Sequence, residues 1–211
     1  MITFTDYPNH EAWLTGRHNS LGASEVASVI GCGFCNEQEL WAQKVGESKP
    51  KDLSQNARVK YGTEAEQYLR GLFAAQFADT YEVEYHPYRV YSNEETPFMT
   101  ATLDGELKRK SDGEQGVWEC KTAWVLRKED LNEWFQQIPQ KYFCQVTQQL
   151  YVTNRKFAVL TAQLIFNDGT SEIRHYDISR NEENIAYIVS EAKRFWKHVT
   201  ERTKPALGLT L

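Results

Sequence analysis

Three residues in the middle of the chain have the types and spacing of a phosphate-hydrolysing centre. Leu103-Asp104-Gly105 ends or bends one predicted strand. After a gap of fourteen residues from Asp104, the next strand reads Trp118-Glu119-Cys120-Lys121-Thr122. Side chains two apart on a strand share a face, so Glu119 and Lys121 project together while Trp118 and Cys120 face the other way. Pairing of the two strands as a hairpin brings Asp104 beside them. Two carboxylates converging with a lysine suit a hard divalent cation, and magnesium takes one or two carboxylates while keeping waters for a substrate phosphate. The lysine can orient or deprotonate an attacking water while the metal stabilises charge on the phosphate. The reaction class implied is hydrolysis of a phosphodiester. Spacing alone decides little, because charges on the solvent face of an antiparallel strand are common.

The elements that must position these residues follow from periodicity. His10 to Leu14 is amphipathic, and Gly22 to Ile30 has helical apolar spacing stopped by Gly31 and Gly33. Glu37 to Val45 reads as a further helix. The longest runs from about Ala57 to Ala78, with Tyr61, Ala65, Leu69, Leu72, Phe73 and Phe77 as its apolar stripe. Residues 81–91 alternate as one strand, with Pro87 keeping part of it at an edge. Phe98 to Leu107 and Val117 to Thr122 read as two strands joined by a polar turn. Residues 139–153 return to helix, with Pro139 in the first turn. Phe157 to Phe166 and Glu172 to Ile178 form a hairpin around Asn167-Asp168-Gly169, and a final helix spans about Asn181 to Thr203. Helices flanking a mixed central sheet make an α/β sandwich, and a chain of 211 residues is expected to form a single domain, 1–211.

Composition sets bounds. Six Trp, eleven Tyr and ten Phe argue for a packed core and against disorder. No apolar run approaches the length needed to cross a bilayer, so no membrane association is expected. The start lacks the basic and apolar regions of a signal peptide, and four cysteines without an export signal are expected to stay reduced in a cytosol. The net charge of −5 counts against nucleic-acid binding, whose affinity comes largely from Lys and Arg on phosphates. A local basic channel is still compatible with an acidic outer surface.

The surrounding motifs do what spacing cannot. Asp104-x14-Glu119-x-Lys121 fits the PD-(D/E)xK nuclease pattern. The companions resemble the phage lambda exonuclease, or YqaJ-type alkaline exonuclease, family: Trp13-x3-Arg17-x6-Ser24-Glu25-Val26, Gly62-x3-Glu66, Ala101-x2-Asp104-Gly105, Glu119-Cys120-Lys121 and Tyr142-x2-Gln145-Val146. The resemblance covers roughly residues 12–160 in the family's order. It implies a restriction-endonuclease-like α/β core. It further implies magnesium, with manganese as a substitute, bound by Asp104, Glu119, Glu66 and the backbone carbonyl of Cys120. Lys121 would assist the water, Gln145 would orient the catalytic groups, and Arg17 and Ser24 would engage the 5′-phosphate. The physical warrant for the last pair is the planar guanidinium fork and the placing of Ser24 near a predicted helix start. The activity implied is 5′ to 3′ degradation of linear double-stranded DNA to mononucleotides, leaving a 3′ single strand. A homotrimer, a single-strand annealing partner and the cytoplasm of a bacterial host carrying a phage or prophage are implied with it.

This chain departs from the pattern in two places. The loop 31–39 lacks the basic residue with which lambda exonuclease holds the 5′-phosphate, and Thr147 stands where many relatives have a second Gln. Gln148 and Gln149 follow, on different helix faces. Cys32-x2-Cys35 lacks the two further ligands of a structural zinc site. Lys108, Arg109 and Lys110 at a turn, Arg127 with Lys128, and Trp124 and Trp134 either line a DNA path or serve as ordinary surface and core. The rival readings are an endonuclease of the same fold and a DNA-binding protein of that fold without catalysis.

Overall fold

A computed structural model describes residues 1–206; residues 207–211 of the expected domain lie outside the described residues. The chain runs β1 (Ile2–Asp6), α1 (His10–His18), β2 (Leu21–Gly22), α2 (Val26–Val29), α3 (Glu37–Lys44), α4 (Ala57–Gln76), β3 (Tyr81–Glu84), β4 (Arg89–Asn93) and β5 (Thr96–Ala101). It continues through β6 (Gly105–Arg109), β7 (Gln115–Val125), α5 (Lys128–Asn132), α6 (Gln140–Thr153), β8 (Phe157–Phe166), β9 (Ser171–Ser179) and α7 (Glu182–Thr200). The strands form two mixed sheets, ordered β1-β4-β5-β2 and β3-β6-β7-β8-β9.

The five-stranded sheet carries helices on both faces. On one face α4 sets Leu69 and Phe73 against Leu107, Trp118 and Phe157. On the other, α6 and α7 close the main core with Val117, Ala158, Leu160, Ile185 and Phe195. Helix α6 buries Cys144 and every residue from Val146 to Val152, because the four-stranded sheet covers its far side. A helix buried nearly all round lies between layers, and its buried polar residues Thr147, Gln148 and Gln149 each make hydrogen bonds there. Arg155, just after α6, ties the sheets together. It bonds Glu106 on β6 and donates to the Gly116 carbonyl at 2.7 Å, while Tyr91 on β4 donates to the same Glu106.

Local chemistry explains most boundaries. Asn36 and Glu39 form a reciprocal capping box on α3, and Asn56 and Asn181 accept backbone N–H groups at the starts of α4 and α7. Asn154 ends α6 in the left-handed region at φ 52°.

Four expectations are corrected. Residues 81–91 are two strands in different sheets, split at a turn where Tyr88 has φ 60°. Residues 98–107 are likewise two strands, because the chain leaves β5 and enters β6 at 102–104. Residues 22–30 hold only the short helix α2 after a brief strand. Leu72 and Tyr61, expected on the apolar stripe of α4, are 57% and 40% exposed.

Candidate active site

The hairpin of β6 and β7 brings the central residues together. Its register pairs Gly105 with Trp118, which leaves Asp104 at the mouth of β6 beside the continuing β7. Asp104 Oδ2 accepts the Cys120 N–H at 2.9 Å. A residue's N–H and C=O leave a strand on the same edge, so the Cys120 carbonyl shares the Asp104 edge. Gly105 permits this close approach, since a Cβ there would stand 3.3 Å from the Trp118 side chain.

Glu119 and Lys121 point to the α6 face, and Trp118 and Cys120 to the α4 face, as strand alternation requires. Glu119 is 1% exposed. Its Oε1 accepts Lys121 Nζ at 2.5 Å and Gln145 Nε2 at 2.6 Å, and its Oε2 accepts Gln149 Nε2 at 2.6 Å. A buried carboxylate persists only with such donors around it. Gln149 also donates to the Thr102 carbonyl at 3.2 Å, while Gln148 turns to the carbonyls of Leu21 and Thr100.

Glu66 enters from α4. Arg70, one turn on, donates through Nη1 to Glu66 Oε1 at 3.0 Å and to the Asp104 carbonyl at 2.8 Å. Its guanidinium lies 3.6 Å from the centre of the Tyr85 ring. Gly62 lets this helix approach the sheet, because a Cβ would meet Thr122 Oγ1 at 2.9 Å.

The carboxyl groups repel one another. Burial, then the charges of Glu119 and Glu66, hold the Asp104 carboxyl well above its ordinary 3.8. Glu66 is raised as well, first by burial and against the pull of Arg70. Burial pulls the Lys121 ammonium down, but Glu119 and Asp104 outweigh it and keep it protonated. Among the described residues no three His, Cys, Asp or Glu side chains close into a metal cage. Magnesium needs only one or two carboxylates and takes water for the rest. The hard oxygen donors and their mutual repulsion therefore fit such a cation.

Arg17 and Ser24 complete one side. Arg17 Nη2 donates to Ser24 Oγ at 3.1 Å, and its guanidinium lies 4.5 Å from the Trp13 ring. Trp13 is anchored in turn through Nε1 to Thr102 Oγ1 at 3.2 Å. A cavity of about 180 Å³ is lined by Arg17, Ser24, Asp104, Glu119, Lys121 and Gln145 together. Glu25 fixes the backbone here, accepting the Gly22 N–H at 2.8 Å and pairing with the nearly buried Lys44 at 2.8 Å. Ser24 sits before a helix of only four residues, so the helix N-terminus expected behind it is not a site for an anion.

Of the two glutamines weighed against the missing second Gln, Gln149 is the one that reaches Glu119, while Arg70 and the supporting Thr102 were missed. The i, i+4 spacing of Gln145 with Gln149 and of Glu66 with Arg70 was the available signal. Other candidates fall away. Lys108 and Arg109 pair with Glu82 and Asp112, at the end of the hairpin remote from Gly105. Arg127 caps α5 with Asp130, and Trp134 is buried core. Cys32 lies 3.8 Å from Cys144, and Cys35 turns to Ser28. A larger cavity, about 1160 Å³, opens between α6 and β9 and contains none of the site residues. Chemistry, not volume, locates the site.

The comparisons agree with this fold. The alkaline exonuclease of Laribacter hongkongensis superposes with a TM-score of 0.64 at 19% identity, over 92% of this chain and 94% of that one. A phage-related exonuclease from Haemophilus somnus superposes at 0.57 and 13% identity, over 87% and 96%. The shutoff and exonuclease protein of Kaposi's sarcoma associated herpesvirus superposes at 0.57 and 9% identity, over 90% and 68%. At these identities the likeness concerns the fold. No curated protein matches the chain in sequence. No helix among the described residues is long and apolar enough to cross a membrane. The family model of the YqaJ-like viral recombinase domain matches residues 12–156, the stretch that holds Trp13, Arg17, Glu66, Asp104, Glu119, Lys121 and Gln149, and the chain accordingly belongs to that family of YqaJ-type nucleases.

Proposed function

We propose that this nuclease is a magnesium-dependent exodeoxyribonuclease that degrades linear double-stranded DNA from the 5′ end, releasing mononucleotides. The observation that carries the reading is the single cavity shared by Arg17, Ser24, Asp104, Glu119, Lys121 and Gln145. A terminal phosphate held by Arg17 and Ser24 would stand beside the carboxylates, with the next phosphodiester over Asp104 and Lys121.

Asp104, Glu119, the Cys120 carbonyl and, directly or through water, Glu66 would hold the cation. Magnesium, or manganese in its place, supplies neutralisation of phosphate charge when bound. Gln145 and Gln149 fix the Glu119 carboxylate, and Arg70 fixes Glu66 against the Asp104 backbone. Lys121 is kept charged by its neighbours, which favours a role as proton donor and orienter of water over that of a base. The 3′ single strand left behind would pass to a single-strand annealing protein in phage-type recombination. We place the protein, as a homotrimer, in the cytoplasm of a bacterial host.

Linear duplexes with and without a 5′-phosphate, and a supercoiled circle, test the reading. Magnesium should release acid-soluble nucleotides from the linear DNA, fastest with the 5′-phosphate. EDTA and Lys121→Ala should each abolish release, and the circle should stay intact. Cutting of the circle, or full activity in EDTA, would overturn it.

A further inference from the structure

A second cavity, about 540 Å³, opens on the other side of Asp104 and Lys121, which line both spaces. Its chemistry differs from that of the phosphate pocket. Phe34, Trp124 and Tyr142 form aromatic walls, with Arg58 and Lys141 among them. The Arg58 guanidinium lies 5.3 Å from the Trp124 ring. Lys141 Nζ stands 5.1 Å from the Phe34 ring and 5.2 Å from the Tyr142 ring. Phe34 is 76% exposed and belongs to neither hydrophobic cluster. Its nearest ring, Tyr142, is 6.5 Å away and tilted by 54°, so at least one face of Phe34 is bare.

We propose that this cleft takes the nucleotide on the 3′ side of the scissile phosphate, its base stacked on Phe34 and its following phosphate met by Arg58 and Lys141. The inference rests on the exonuclease reading above and adds the residues that grip the rest of the strand. Two arguments support it. The first is continuity: with the terminal phosphate at Arg17 and the reacting phosphate over Asp104 and Lys121, the strand must continue away from Arg17, and this cavity lies there. The second is chemical complementarity. A bare ring beside cations on a chain of net charge −5 matches a base followed by a phosphate. Of the other acidic residues on the wall, Asp130 is engaged by the backbone N–H groups of Leu126 and Arg127, Glu66 by Arg70, and Glu133 is exposed to solvent. Because every base has a π-face, the grip would tolerate any sequence.

The test uses the full chain with calcium in place of magnesium, so that binding is read without cutting. Two 5′-phosphorylated DNA ends are compared, one with an ordinary second nucleotide and one with an abasic second nucleotide. The abasic end should bind the wild type roughly 10-fold more weakly. Phe34→Ala should lose the same factor on ordinary DNA and show no further loss on the abasic end, and Phe34→Trp should restore the difference. Wild-type affinity indifferent to the missing base, or equal losses by Phe34→Ala on both ends, would overturn the proposal. Thermal unfolding of the variants, unchanged for so exposed a residue, confirms that the comparison is between folded proteins. Failure of the exonuclease reading would show separately, as linear DNA left intact by the wild type in magnesium.

Discussion

Gln149 donates to Glu119 Oε2 at 2.6 Å from one helical turn beyond Gln145, which holds Oε1 at the same distance. The two amides come from the helix between the sheets, so the carboxylate is fixed by the core itself. Gln149→Leu should lower kcat by roughly 10- to 100-fold, in line with losses when a ligand-orienting partner is removed. KM for DNA should barely change. Steady-state kinetics over a range of DNA concentrations check this, and a variant that changes only KM would refute it.

Asp104→Asn should abolish turnover yet stabilise the metal-free protein. The raised carboxyl means that the folded chain binds this proton more tightly than the unfolded chain. Stability from this group is therefore lost as pH rises from the ordinary value of 3.8 through the raised folded value, and is not regained above it. Lys121, also raised, loses its contribution only above its ordinary 10.5, outside this window. Unfolding temperatures in EDTA between about pH 4 and 8 should fall for the wild type and stay flatter for the variant. Magnesium should raise the wild type more. A variant less stable than the wild type at neutral pH would contradict the account.

Arg17→Lys should weaken recognition of a 5′-phosphate while leaving 5′-hydroxyl ends nearly unaffected. Lysine is a point charge and cannot reproduce the planar fork that Arg17 presents above Trp13 beside Ser24. KM for phosphorylated ends should rise by roughly 10-fold or more. Equal losses on both kinds of end would remove Arg17 from phosphate recognition.

Arg155→Ala tests what joins the two sheets. Its side chain is 7% exposed against a Glu106 that is 15% exposed, and the substitution leaves that carboxylate to Tyr91 and to Arg89 Nη1 at 4.0 Å. A destabilisation of about 1.5–3 kcal/mol is expected, the range for a hydrogen bond to a charged group, because Arg89 still faces Glu106. Denaturant unfolding measures it, and a loss below about 1 kcal/mol would show that the pair contributes little.

Short-range patterns in the sequence reached the class of the fold and the geometry of β7, and stopped at the boundaries between the sheets. The β7 alternation placed Glu119 and Lys121 on one face, and the expected PD-(D/E)xK-type α/β core is the one observed. The chain's switch between sheets at 102–104 was hidden, because alternation persists through it and only tertiary packing reveals the break. The switch at Tyr88 was hidden for the same reason. Gln149 was legible through its helical spacing, but only packing separates it from Gln148 as the one that reaches Glu119. The meeting of Cys32 with Cys144, in contrast, has no signal in sequence spacing.

The site is drawn from residues far apart along the chain. Trp13 bonds Thr102, Gln148 bonds Leu21, and Gln149 bonds Glu119. Such contacts form late in folding, since long loops must close before they are rewarded. A ribosome that has not yet released α6 holds a chain with its carboxylates but without the amides that fix them. Cutting power should therefore emerge nearly all at once, after most of the chain has been made. Recovered activity after dilution from denaturant should then report complete folding and not partial collapse.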